Sequence, residues 1–188
     1  MQYLPLFERI DSLAQLKSHV IIAIDGNSAA GKSTLAALLA AHYNCNVFHI
    51  DDFFLQPNRR TTSRLAETGG NIDYERFALE VLNMLRMNVP FAYYPYNCKT
   101  QTLDAVVNVI PKPINIIEGA YSLHPYFGDY DIKVFLTLNA EQQRSRLMQR
   151  NPHMYKRFIS EWVPMENKYF EEFKIMEKCD FVFMPDKE

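Results

Sequence analysis

The stretch HVIIAIDGNSAAGKSTLAALLAAHY, residues 19–43, decides how this chain is read. It opens on an apolar run from His19 to Asp25, which predicts a strand buried on both faces. It closes on STLAALLAAHY, whose alanines and leucines favour a helix. Between them Gly26, Asn27, Ser28, Ala29, Ala30, Gly31, Lys32 and Ser33 fulfil the pattern G-x-x-x-x-G-K-[ST], with Thr34 next in line. Gly26 and Gly31 permit backbone angles that other residues resist. The turn then aims several N–H groups inward, and the following helix adds its positive end, so the segment is a site for phosphate oxygens. Lys32 can reach the β- and γ-phosphates of ATP, and the Ser33 hydroxyl can bind Mg²⁺.

Strands alternate with helical patterns on either side of this loop, the sign of an α/β protein with a parallel sheet. A second strand is expected over residues 46–50, ending at Asp51 and Asp52. INIIEGAY (114–121), DIKVFLTL (131–138) and DFVFMP (180–185) predict three more. The expected architecture is a P-loop NTPase fold: one domain over residues 1–188, with a five-stranded, mainly parallel sheet flanked by helices and a helical lid at about 144–160. Residues 56–71, with Arg59, Arg60, Arg64 and the pair Gly69-Gly70, read as a loop or mobile excursion. From Tyr74 the apolar side chains Phe77, Val81, Leu82 and Leu85 recur at helical spacing, and Pro90 ends that element. A hairpin is expected after the tyrosine-rich stretch, and the first seventeen residues are expected to pack as a helix beside the sheet.

The bulk composition is consistent with this and narrows the class. The chain has 188 residues, 48% of them hydrophobic, enough for a full core. A net charge of −2 argues against a nucleic-acid partner. No stretch approaches the ~20 apolar residues that span a bilayer, and the opening residues lack the pattern of a secretory signal. Cys45, Cys98 and Cys179 form no C-x-x-C pair, so reduced thiols in a cytoplasmic protein are expected, each a small buried hydrophobe rather than a catalyst.

A phosphate loop alone does not separate kinases from switches and motors. Three further features favour a kinase. Asp51 and Asp52 fall at the C-terminal tip of the second strand, the edge where open α/β sheets bind ligands. A carboxylate there can accept a substrate hydroxyl proton in line with the γ-phosphate, although aspartates also serve turns and caps. Glu118 ends the apolar strand INII, where an acid lies near Mg²⁺ directly or through water. Arg146 and Arg150, four residues apart in a cluster with Arg144, share one helix face and can clamp a transferring phosphoryl group. The plainer role for these arginines is a solvated basic face.

The combination GNSAAGKST, FHIDDFF, NIDYERF, IIEGAYSLHP and WVPMENKY resembles the uridine kinase and phosphoribulokinase family, and also nicotinamide riboside kinases, over residues 18–175. The resemblance implies ATP-dependent phosphoryl transfer, with Mg²⁺, to a hydroxyl of a nucleoside such as uridine or cytidine. It places the general base at Asp51, with Asp52 as a helper near Mg²⁺ or a structural acid. It puts the ribose-contacting acid at Asp73, the base or ring beside Tyr93 or Tyr96, and the lid arginines at Arg146 and Arg150. The chain departs from uridine kinases at Asn97-Cys98-Lys99, where a histidine and an arginine are usual, and in the lid, which runs NPHMYKR. Nicotinamide riboside, pantothenate or a sugar therefore stay open as acceptors, and a homo-oligomer is compatible. The rival class is a nucleotide-dependent regulator. No N/T-K-x-D string marks a guanine-specific switch, and the motor-type strand ending in aspartate is replaced here by IIEG.

Overall fold

The structure, a computed structural model, describes residues 2–185. Among the described residues, nine strands and six helices, besides short 3₁₀ turns, follow one another. Helix α1 (Leu4–Leu16) precedes strand β1 (Val20–Gly26), and α2 (Lys32–His42) leads to β2 (Cys45–His49). The short α3 (Thr62–Ala66) and the longer α4 (residues 74–87) come next. Four short strands follow: β3 (Phe91–Tyr93), β4 (Tyr96–Asn97), β5 (Thr102–Leu103) and β6 (Val107–Val109). Then come β7 (Ile114–Glu118), β8 (Ile132–Leu136), α5 (Ala140–Arg150), α6 (residues 155–172) and β9 (Phe181–Phe183).

Five strands form one sheet in the order β2-β7-β1-β8-β9, and every pairing in it is parallel. The sequence predicts these five strands, four of them to within two residues of their observed ends; the strand expected over 114–121 stops at Glu118, three residues early. The predicted hairpin resolves into two separate ribbons, β3 with β6 and β4 with β5, both antiparallel.

The alternation of side chains along β1 splits the core in two. Val20, Ile22 and Ile24 pack on one face with Leu6, Ile10 and Leu13 of α1 and with Leu35 and Leu39 of α2. Ile21 and Ala23 pack on the other face with Phe48, Phe53, Ile72, Phe77 and Tyr93. All seven residues of β1 are buried, as a strand covered on both sides requires. The N-terminal helix presents Leu6, Ile10 and Leu13 to the sheet at helical spacing, and each such burial contributes roughly 1.5–3 kcal/mol.

Two expectations need correction. Residues 56–71 are tied down rather than free: Phe54 bridges to Ile72, and Arg64 donates to the carbonyls of Gly70 and Ile72 and pairs with Glu75. The Arg64 guanidinium also lies over the Tyr74 ring at 3.6 Å. The sequence shows mostly polar residues here, and the order comes from contacts with a helix further along the chain. The cysteines are free but not uniformly buried. Cys45 and Cys179 are half-buried, and Cys98 is exposed, on a turn between β4 and β5 that offers nothing to cover it.

Candidate nucleotide and acceptor site

β1 delivers the phosphate loop to the C-terminal edge of the sheet. At Gly26 the backbone turns with φ +135°, and a Cβ there would stand 2.0 Å from the Leu136 carbonyl oxygen of the neighbouring strand. Only glycine fits. Gly31 takes φ +94° where α2 begins. Ala29, between them, is also left-handed at φ 65°, a conformation that costs an alanine free energy and is held by its surroundings.

Those surroundings include groups that the sequence reading missed. Asp25 is fully buried beneath the loop. It accepts hydrogen bonds from the N–H groups of Gly26 (2.7 Å) and Leu123 (3.0 Å) and from the Tyr169 hydroxyl (2.8 Å). Burial pushes its pKa up to about 6, against the pull of Lys32 and of these donors. Asn27 accepts from the Leu138 N–H through its side chain. Glu166 and Gln143, both buried, bond Ser28 from two different helices.

The role of Asp25 leads to a stability prediction. In Asp25→Asn one oxygen becomes an NH₂ that cannot accept, so Gly26 or Leu123 loses its partner. The expected loss is about 1–3 kcal/mol, read from urea denaturation at pH 4.5. The folded chain binds the Asp25 proton more tightly than the unfolded chain does. The wild type therefore loses stability relative to Asp25→Asn as pH rises through the window from about 4 to 6, by up to about 3 kcal/mol. A gap between the two proteins that stays constant from pH 4.5 to pH 7 would refute this account.

Parallel pairing brings the remaining acids to the loop. In register, Glu118 on β7 stands beside Ile24 on β1 and beside His49 on β2. Its Oε1 accepts the Ser33 hydroxyl at 3.1 Å and is bonded to His49 Nδ1. Burial pushes Glu118 up, but the bond and charge of His49 together with Lys32 and Ser33 hold it below the usual carboxylate value, while the bond to Glu118 raises His49. His49 is a further residue that the sequence reading did not single out. FHIDDFF contains it, and the signal was its place one register step from the strand tip.

Asp51 and Asp52 lie in the 3₁₀ turn Ile50–Phe53 immediately after β2. Asp51 is exposed. The protein crowded around its carboxyl raises its pKa, Lys32 opposes this and Glu118 reinforces it. Arg150 also bears on it from across the cleft. Asp52 is half-buried, and its backbone carbonyl is held by Arg76 at 3.0 Å. Lys32 Nζ donates to the carbonyls of Gly26 (2.8 Å) and Asn27 (3.1 Å).

A cleft of about 770 Å³ runs between the loop and α5, lined by Ala29–Thr34 on one side and by Asn139, Arg146 and Arg150 on the other. Arg146 approaches the Ala29 carbonyl at 3.5 Å, and Arg150 is exposed. Helix α5 carries both arginines and starts at a capping box built by Asn139 and Gln142.

The acceptor-side residues are placed less simply. Asp73 is completely buried. It caps α4 by accepting from the Arg76 N–H (3.1 Å), and Arg59 pairs with it from above. Its second oxygen, Oδ2, has no hydrogen-bond partner. Tyr93 and Tyr96 are also buried, at 6% and 4% exposure. Tyr93 stacks on Phe53 at 5.5 Å, and the Tyr96 hydroxyl accepts from Arg60 at 3.1 Å.

No protein-family model matches the chain. A cytidylate kinase of Mesomycoplasma hyopneumoniae is 27% identical over 190 aligned residues, covering 88% of this chain and 79% of that protein. Among solved structures, a possible uridine kinase from Bacillus stearothermophilus superposes with a TM-score of 0.67 at 22% identity, covering 96% of this chain and all of that one. A D-glycerate 3-kinase from Cryptococcus neoformans superposes with a TM-score of 0.59 at 13% identity, covering 85% and 83%. With its parallel sheet, its glycine-bounded phosphate loop and these superpositions, the chain has the fold of the P-loop kinases.

Proposed function

We propose that this chain transfers the γ-phosphoryl group of ATP to a hydroxyl of a small metabolite, a nucleoside-like ribose compound such as uridine or cytidine. The observation that carries the reading is Asp51. Its carboxylate, unpaired among the described residues, stands in the turn at the C-terminal tip of β2, within the fields of Lys32 and Arg150. An acceptor hydroxyl held there gives its proton to Asp51 while the loop and Lys32 hold the phosphates. Gly26 to Thr34 cradle the phosphate chain, and Arg146 and Arg150 act as the lid that closes on it. Ser33 and Glu118 would hold Mg²⁺, with Asp52 as a helper. The fit is supported by their convergence at 3.1 Å and by a sparse donor set: among the described residues no cluster of three or more His, Cys, Asp or Glu forms a cage. Such a set suits an ion bound chiefly by phosphate oxygens and water. When bound, it supplies neutralisation of charge on the β- and γ-oxygens.

Asp73 is proposed as the ligand of the ribose diol, which requires Arg59 to swing away from it. A site with a buried carboxylate discriminates against an analogue lacking a hydroxyl. Ribonucleosides are therefore expected to outperform 2′-deoxyribonucleosides in kcat/KM, and Asp73→Ala to erase the preference. Equal discrimination in the two proteins would remove Asp73 from the site. Transfer to no ribose compound would sink the nucleoside reading in favour of pantothenate or a sugar.

One observation favours a second reading, an acceptor that is itself anionic, such as a nucleoside monophosphate. Arg60 is exposed beside the acceptor side and makes no carboxylate pair within 4.0 Å among the described residues, whereas Arg59, Arg64 and Arg76 each have one. It is oriented by neutral groups, the Leu55 carbonyl and the Tyr96 hydroxyl. The similarity to a cytidylate kinase is in keeping with this. Including CMP beside cytidine in the same assay separates the two readings.

A further inference from the structure

Glu166 is 4% exposed and lies on α6, 138 positions along the chain from the residue it touches. Its Oε2 accepts the Ser28 N–H at 3.0 Å, and its Oε1 accepts the Ser28 hydroxyl. The remaining polar atom of Ser28, its carbonyl, accepts from Gln143 on α5 at 3.3 Å. The third residue of the phosphate loop is thus held at every polar atom, by an acid on one side and an amide on the other.

A carboxylate in this position is unexpected on electrostatic grounds. The loop is a nest for phosphate oxygens, and an acid beside it opposes them. The charged groups that bear on Glu166 are Lys32, which lies at the phosphate end of the loop, and Asp51, which lies on the acceptor side. Tyr121 is the other titratable neighbour and is neutral at ordinary pH, since burial raises it. Glu166 therefore acts within the field of Lys32, the residue that reaches the β- and γ-phosphates, and a diphosphate has no γ-group to meet it.

We propose that Glu166 is a positioning residue that fixes Ser28 and weights the loop against a triphosphate relative to a diphosphate. The proposal rests on the kinase reading and adds the residue that sets the relative hold on donor and product. Repulsion between two like charges in a partly dry site amounts to about an order of magnitude in affinity.

Glu166→Gln isolates the charge. The amide oxygen still accepts the Ser28 N–H, and its NH₂ donates to the Ser28 hydroxyl, so both bonds survive. Calorimetric titration of the full chain with ADP and with a non-hydrolysable ATP analogue, each with Mg²⁺, gives the ratio of the two dissociation constants. In Glu166→Gln the analogue is expected to tighten about tenfold while ADP changes by less than about twofold. An unchanged ratio, or equal weakening of both ligands, would overturn the proposal and leave only a structural bond. Should Glu166→Gln fold poorly, Glu166→Asp keeps the charge but withdraws it by one methylene. Its ratio is expected to fall between wild type and the tenfold shift, and a wild-type ratio would count against the proposal. If the wild type binds neither ligand, the kinase reading itself falls. If it binds both and the variants leave the ratio alone, only this inference falls.

Discussion

Lys32→Ala is expected to lower kcat by roughly a thousandfold while the protein melts within a few degrees of wild type. Lys32 stands at the first position of α2, half-buried, and its ammonium reaches back over the loop to the Gly26 and Asn27 carbonyls. Those two bonds hold the charge at the mouth of the nest, where negative charge develops on the transferred group. Alanine is a better helix former than lysine, and the hydrogen bonds lost with Lys32 are to two carbonyls rather than to a carboxylate, which leaves the weaker field on Asp25 and Glu166 as the cost to the fold. The loss should therefore fall on chemistry rather than folding. The check is a kcat measurement at saturating Mg-ATP beside a thermal melt. Turnover within tenfold of wild type would remove the loop from the active site.

Asp51→Asn is expected to cut kcat by about a hundredfold or more with little change in ATP affinity, since an amide keeps the shape but cannot take a proton. The pH profile sharpens the test. The environment raises Asp51 above the ordinary carboxylate value. Transfer by the wild type, which needs the ionised form, should fall as pH drops through that raised value. In Asp51→Asn the same limb of the profile should flatten. Asp52→Asn is the control, because Asp52 is anchored through its backbone by Arg76 and lies further from Lys32's influence. If Asp52→Asn proves the more damaging change, the two roles are exchanged.

Much of this was legible in the sequence because local signals coincide with it. The phosphate loop is a contiguous string with strand before and helix after, so Gly26 to Ser33 could be placed without any long-range knowledge. The five sheet strands announce themselves as apolar runs, and Asp51 and Glu118 lie at their ends. What escaped is what only pairing decides. His49 meets Glu118 because β2 lies next to β7 and not next to β1. Glu166 and Gln143 meet Ser28 because two distant helices converge on the loop. Asp25 read as one more residue of a buried strand, and its three donors come from three parts of the chain. The order in residues 56–71 escaped for the same reason: Arg64 finds Glu75 and Tyr74 only once α4 has folded beside it.

The two apolar layers on either side of β1 bear on how such a protein diversifies. Helices α1 and α2 rest on one layer, with Ile22, Ile24, Leu35 and Leu39 among its members. Phe53, Phe77 and Tyr93 rest on the other, together with Tyr169, whose hydroxyl reaches Asp25 beneath the phosphate loop. The sheet stands between them as a partition. A substitution at Phe53 or Tyr93 disturbs packing on its own side and leaves the opposite layer in place, since distant sites without shared partners behave independently. Drift or laboratory selection can then reshape this layer while α2 is carried along unaltered, provided that Tyr169 keeps its place. A library confined to Phe53, Tyr93 and their neighbours is the economical place to look for new acceptors.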